Sequence, residues 1–179
     1  MNYCSQCGAS VTLRVPDGDQ LSRFVCTGCG EIHYQNPKLV VGCVPQWQDQ
    51  ILICKRAIEP RRGYWTIPAG FMENGETLQQ AAARESQEEA LAKVEIGSLL
   101  SVVHVLHGHQ VHVFFRAKLL DANIGAGPES LEVKLVTVAE IPWDDIAFPS
   151  TEFTLRHYLA DQAAGLDRHH FTEFNRRLR

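Results

Sequence analysis

The segment from Thr77 to Leu91 constrains this chain more than any other. It is loaded with Ala, Gln and Glu, which are good helix formers. A helix here places Glu85, Glu88 and Glu89, spaced i, i+3 and i+4, on one face. Three like charges on one face repel, so the cluster costs stability unless something positive binds it. A hard divalent cation, Mg2+ or Mn2+, is the natural partner, because both prefer oxygen ligands. Arg84 can pair with a carboxylate and hold its orientation. A solvated acidic helix face is the plain alternative, and the three carboxylates alone do not decide between the two.

The rest of the chain reads as strands, helix, strands, helix. Leu39 to Trp47 and Ile51 to Arg56 flank the polar turn Gln48-Asp49-Gln50 and read as a hairpin. A loop over 57–64 leads to the short extended piece Trp65-Thr66-Ile67. Val94 to Leu106, Val111 to Leu120 and Glu132 to Val138 are three further strands, with a loop at Gly125-Ala126-Gly127-Pro128. Pro149 to Ala164 is a second helix, ended near Gly165. This order predicts the α+β class, a mixed sheet packed between helices. The domain division is 1–36, 37–165 and a polar tail over 166–179 whose structure the sequence does not set. Pro37 marks the first boundary, since proline disfavours helix just before it.

Residues 1–36 are a different kind of chain. Cys4-x2-Cys7 and Cys26-x2-Cys29 are 18 residues apart, and Gly8 and Gly30 follow the second Cys of each pair. Four thiolates at this spacing signal a structural Zn2+ site, a zinc ribbon, with tight turns that aim backbone amides at sulfur. A closed Cys4 site has no open coordination position, so its role is folding. Cys43 and Cys54 lie on predicted strands and read as small core residues. The N-terminus shows no secretory pattern and no apolar run is long enough to span a bilayer, so a cytoplasmic protein without membrane attachment is expected. A formal net charge of -4 does not advertise a nucleic-acid partner, which would favour a basic patch.

The segment Gly70-Phe71-Met72-Glu73-Asn74-Gly75-Glu76, followed by Arg84-Glu85-Ser86-Gln87-Glu88-Glu89, resembles the Nudix box. Gly70, Glu76, Arg84, Glu85, Glu88 and Glu89 all fall in its register, and Trp65 to Gly70 resembles the usual lead-in. Two positions depart. Ser86 stands where an aliphatic residue is usual, and Leu91 where the box has the Gly that ends the helix in a left-handed conformation. The expectation is that the helix runs on or ends differently there and that the chemistry survives.

The resemblance implies a Nudix-type α/β/α sandwich and a hydrolase that uses Mg2+ or Mn2+. It implies Glu85 and Glu89 as principal metal ligands, Glu88 assisting, the Gly70 carbonyl adding a ligand, and Glu76 paired with Arg84. A general base is then sought beyond the box. Glu129 and Glu132 are the candidates and Glu132, at a strand start, is preferred, with Glu89 or Glu88 as further options. For the substrate, Arg56 suits phosphate, and Trp65, Phe71 and Phe148 can stack on a ring or sit in the core. Arg61 and Arg62 read equally as phosphate contacts or a solvated loop. His104, His107, His109 and His112 read as ordinary strand and turn histidines rather than metal ligands.

Residues 93–112 lack the Ser-Gln-Pro-Trp-Pro-Phe-Pro-x-Ser stretch of NADH pyrophosphatases. Tyr34 to Lys38, Val40 to Cys43, Cys54 to Arg56 and Gly127 to Glu132 are instead similar to zinc-ribbon Nudix proteins related to the plant chloroplast FAD and ADP-ribose pyrophosphohydrolase. With no transit peptide, a bacterial cousin is expected. That resemblance implies a small-molecule dinucleotide or nucleotide-sugar substrate, FAD first and ADP-ribose second, and offers a homodimer by analogy. A non-catalytic Nudix nucleotide sensor is the alternative.

Overall fold

The computed structural model describes residues 1–175 of the 179. The chain divides into two compact units, Met1–Pro37 and the remainder from Lys38. In the first, β1 (Val11–Arg14), β2 (Arg23–Cys26) and β3 (Ile32–His33) form an antiparallel sheet in that order. The two cysteine pairs sit in turns that Gly8 and Gly30 close with φ of 75° and 78°. Glycine takes such angles at no steric cost.

The second unit is built on one mixed sheet. Its strands are β4 (Lys38–Trp47), β5 (Gln50–Arg56), β6 (Trp65–Thr66), β7 (Ala69–Phe71), β8 (Val94–Val105), β9 (Gln110–Leu119), β10 (Ser130–Val136) and β11 (His170–Phe174). The order is β10-β5-β4-β9-β8-β11, with β6 on β5 and β7 on β4. β4 and β9 run parallel, as do β8 and β11, and the other pairs are antiparallel. Strand alternation feeds two cores. Val41 and Cys43 turn to the side of α1 (Leu78–Ala90), with Ala81, Ala82 and Phe115. Val44 turns to the side of α2 (Pro149–Ala164), with Ile53, Leu100, Phe114 and Leu155. Helices on both faces make the α/β/α sandwich that the element order predicts.

The small side chains Ala81 and Ala82, fully buried, let α1 approach the sheet closely. Ser86 is fully buried too, and its hydroxyl is satisfied. Its Oγ donates to the Ala82 carbonyl at 2.8 Å and lies 3.2 Å from Cys43 Sγ. A polar group at this core position therefore has partners rather than a desolvation penalty.

One feature departs from the sequence reading, and another settles what the sequence left open. α1 does not run on. It stops at Ala90, and Leu91 adopts φ 50°, ψ 22°, the left-handed conformation expected of glycine. The Leu91 N–H donates to the Gln87 carbonyl at 3.0 Å and the Ala92 N–H to the Ser86 carbonyl at 3.1 Å. Satisfying these orphan helix carbonyls offsets the strain. The tail also carries structure. Residues 170–174 form β11, the edge strand beside β8. Asp161 holds it, accepting from Arg116 Nη2 at 2.5 Å and lying 2.8 Å from His170 Nε2. Residues 176–179, part of the predicted tail, lie outside the described residues. Among the described residues no helix is long and apolar enough to cross a membrane.

Candidate active site

The loop ahead of α1 and the helix are tied by one guanidinium. Thr77 caps the helix, its Oγ1 accepting from the Gln80 N–H while the Gln80 side chain accepts from the Thr77 N–H. This reciprocal box fixes where the first turn begins. Arg84, two turns in, donates from Nε and Nη2 to both oxygens of Glu76, at 3.0 and 2.8 Å. Nη2 also donates to the Phe71 carbonyl at 3.0 Å, and Nη1 to Glu85 at 2.7 Å and Glu88 at 3.0 Å. The forked contact with Glu76, plus the N–H of Glu73, holds the Glu76 carboxyl down to about 2. The pairing of Glu76 with Arg84 that the Nudix resemblance implies is thus present.

The three helix carboxylates do not share one environment. Glu85 and Glu89 are 7% and 6% exposed, whereas the Glu88 side chain is 58% exposed. Burial pushes the Glu85 carboxyl up, although Arg84 opposes it. Burial pushes Glu89 up to about 8, against the single Ala69 N–H that it accepts at 3.2 Å, and the nearby Glu85 adds to the rise. Two buried carboxylates this close, one of them without a cationic hydrogen-bond partner, form an oxygen donor set that a divalent cation would satisfy. Gly70 lies against Glu85, leaving no room for a side chain there.

These groups open onto a cavity of about 850 Å3, within the range of small-molecule sites. Gly70, Phe71, Arg84, Glu85, Glu88 and Glu89 line one side, and Arg56, Glu129 and Phe148 another. The loop bearing Glu129 is held to the end of α1, where Gly125 N–H donates to the Ala90 carbonyl at 2.9 Å and Gly127 N–H to that of Glu89 at 3.1 Å. Arg56 stacks on the Phe148 ring, with the guanidinium carbon 4.9 Å from its centroid, and donates to the Pro60 carbonyl at 2.9 Å.

Two candidates stand elsewhere. Glu132, past a register irregularity between Ser130 and Glu132, gives its carboxylate to Lys134 at 2.7 Å and does not line the cavity. Glu129, the weaker candidate on sequence, does line it. Trp65 is 8% exposed, packed into the core on the α2 side with Lys55 and Lys134 over its ring. At that burial, and outside the cavity lining, the ring is part of the core. Gln110 and His112 also line the cavity. Their i, i+2 spacing on one strand is the signal that puts them on a common face. Of the other histidines, His104, His107 and His109 belong to no group of metal-ligating side chains among the described residues.

In the ribbon, the ligand atoms of Cys4, Cys7, Cys26 and Cys29 lie within 4.8 Å of one another. Cys4 Sγ is 3.8 Å from Cys29 Sγ, and Cys7 Sγ 3.4 Å from Cys26 Sγ. Four sulfurs about 2.3 Å from a tetrahedral zinc are about 3.8 Å apart, so the set fits Zn2+. The Gln6, Gly28 and Cys29 amides point at sulfur, at 3.3–3.4 Å.

Residues 36–157 match the NUDIX domain. The chain belongs to the Nudix hydrolase family. Residues 2–35 match the Nudix N-terminal zinc ribbon, so both units have the same affiliation. A NUDIX hydrolase from Nitrosomonas europaea, known from its crystal structure, is 53% identical, with 98% of this chain and all of that one covered and a TM-score of 0.95. The ADP-ribose pyrophosphatase of Methanocaldococcus jannaschii is 28% identical over 61% of this chain and 67% of its own length. The NAD-capped RNA hydrolase NudC of Photobacterium profundum is 33% identical over 52% of this chain, which spans only 34% of that protein's length. Nudix enzymes use Mg2+ or Mn2+, and the buried Glu85–Glu89 pair is a donor set suited to either. This Nudix hydrolase is a pyrophosphohydrolase by family.

Proposed function

We propose that this Nudix hydrolase cleaves the diphosphate of an ADP-linked small molecule, with ADP-ribose, giving AMP and ribose 5-phosphate, as lead substrate. The observation that supports it is the convergence of Glu85, Glu88, Glu89 and Glu129 with Arg56 on one cavity of about 850 Å3. Glu85 and Glu89, assisted by Glu88 and the Gly70 carbonyl, would hold the Mg2+ or Mn2+. Bound there, the cation would supply charge neutralisation for the diphosphate and activation of a water. Arg84 fixes the Glu85 and Glu88 carboxylates in place. Arg56 donates to a phosphate oxygen, and its partial burial and loss of hydration strengthen that contact. Glu129 is the base that takes the proton of the attacking water, in place of Glu132. Phe71, 48% exposed at the rim, offers a face to a ring.

ADP-ribose leads because one relative reported above is named for it. FAD, which would give FMN and AMP, follows. NAD-capped RNA comes after both, because residues 93–112 lack the stretch expected of NADH pyrophosphatases. Free thiols held ready for zinc fit a reducing, cytoplasmic setting.

The test is product analysis with Mg2+ or Mn2+ and ADP-ribose, FAD, NADH and NAD-capped RNA, with Glu89→Gln as control. AMP from ADP-ribose, lost in the variant, is the expected result. AMP and FMN from FAD alone moves the substrate. No turnover with either metal overturns the reading and leaves the nucleotide-sensor alternative.

A further inference from the structure

One wall of the cavity is a row of registered side chains. Val40 of β4 is the partner of Phe71 on β7 and of His112 on β9. Residues opposed across a sheet present their side chains on one face, and so does Gln110, two residues before His112. All four line the cavity. The row therefore runs from an aromatic ring through an aliphatic side chain to a polar end.

The polar end is wired in one direction. His112 is 9% exposed, with Nδ1 3.0 Å from Ser150 Oγ and Nε2 2.9 Å from Gln110 Oε1. An amide carbonyl oxygen only accepts, so Nε2 carries the proton. No carboxylate pairs with the ring among the described residues, and burial alone keeps it neutral at ordinary pH. Nδ1 is then bare and accepts from the Ser150 hydroxyl. The chain Ser150 to His112 to Gln110 turns the amide oxygen toward the imidazole and so fixes which way the amide faces. Its Nε2 hydrogens remain, and no protein group among the described residues takes them.

We infer that Gln110 reads the base of the nucleotide, donating its amide N–H to a bare ring nitrogen of a purine that lies against Phe71 and Val40. His112 and Ser150 act through it as positioning residues, holding the amide with its oxygen on the imidazole and its N–H group free to donate. The inference rests on the nucleotide-hydrolase reading above. Its consequence is selectivity, because a ring with C–H where the acceptor should be leaves the oriented donor unpaired, and sites built around a hydrogen bond reject analogues that lack it.

The test titrates the intact protein with AMP and with its 1-deaza, 3-deaza and 7-deaza analogues, each replacing one ring nitrogen by C–H. Wild type is expected to bind one of the three about tenfold more weakly than AMP, the effect of one lost hydrogen bond. Gln110→Met removes that difference. Made singly, Ser150→Ala and His112→Leu weaken AMP binding relative to wild type, and neither has a further effect when combined with Gln110→Met. His112→Gln, which can present an amide N–H where Nε2–H stood, recovers affinity. Equal binding of all three analogues by wild type, or discrimination that survives Gln110→Met, overturns the inference. ADP-ribose hydrolysis is followed on the same preparations. An active enzyme that treats the analogues alike, or does not bind AMP, refutes the base-reading role alone, whereas a preparation that hydrolyses nothing refutes the hydrolase reading as well.

Discussion

Gly70 and Glu85 touch so closely that a Cβ on the glycine would lie 2.4 Å from the Glu85 carboxyl carbon and both its oxygens. No heavy-atom contact survives at that distance, so any side chain at 70 must expel the Glu85 carboxylate from its position. Gly70→Ala is therefore expected to weaken Mg2+ or Mn2+ binding about tenfold or more, while the fold persists, because the carboxylate can swing toward the cavity. Titrating activity against metal concentration, beside a circular dichroism spectrum, checks it. A variant with wild-type metal dependence would remove Gly70 from the site.

The ribbon is expected to depend on zinc outright. Its sheet is short, and Val25 is its one fully buried aliphatic residue. Metal binding then supplies much of its folding free energy. Cys26→Ser should lower bound zinc from one per chain toward none, read by elemental analysis. It should also raise proteolysis within residues 1–37 while residues 38–175 keep their protection. Full zinc content in the variant would contradict the four-thiolate set.

The parts of this molecule legible from sequence are the local ones. Glu85, Glu88 and Glu89 share a helical face by period alone, and the two Cys-x2-Cys pairs close their turns within a few residues. What the sequence hid depends on distant partners. The sequence favours Glu132 over Glu129 as the carboxylate beyond the box, but Lys134 pairs with Glu132 past the irregularity after Ser130, and Glu129 lines the cavity. Trp65 reads as a stacking platform or as core, and its packing with Ile53, Phe114 and Leu155 from distant elements decides for the core. β11 exists because Asp161 of α2 gathers Arg116 and His170, a contact no local pattern announces.

Leu91 leaves a measurable residue of strain. Its φ of 50° costs a side chain with Cβ about 1–2 kcal/mol relative to its preferred conformation. Leu91 is 49% exposed, so its contacts return only part of that. Leu91→Gly is expected to stabilise the protein by about 0.5–1 kcal/mol, a rise of roughly 2–4 °C in Tm per kcal/mol for a domain of this size. A lower melting temperature would show that the leucyl packing outweighs the strain.

Burial of His112 makes the protein less stable as pH falls. Burial holds its imidazole down to about 4 in the folded chain, from 6.5 when free. Between these values the unfolded chain binds a proton that the folded chain refuses, so stability falls as pH drops. The contribution is complete above about 6.5 and gone near 4. From pH 7.5 to pH 5 the loss spans about 1.5 of those units, or ~2 kcal/mol. His112→Gln cannot titrate, yet keeps an amide for Gln110, so it should lack this component while every carboxylate contribution stays common to both proteins. Urea unfolding of the two at pH 7.5 and pH 5 isolates the difference. Wild type should lose about 2 kcal/mol more than the variant over that interval. Equal losses would mean that the ring takes up its proton in the folded state without penalty, and the Ser150 to Gln110 wiring would then lose the neutral imidazole on which its direction depends.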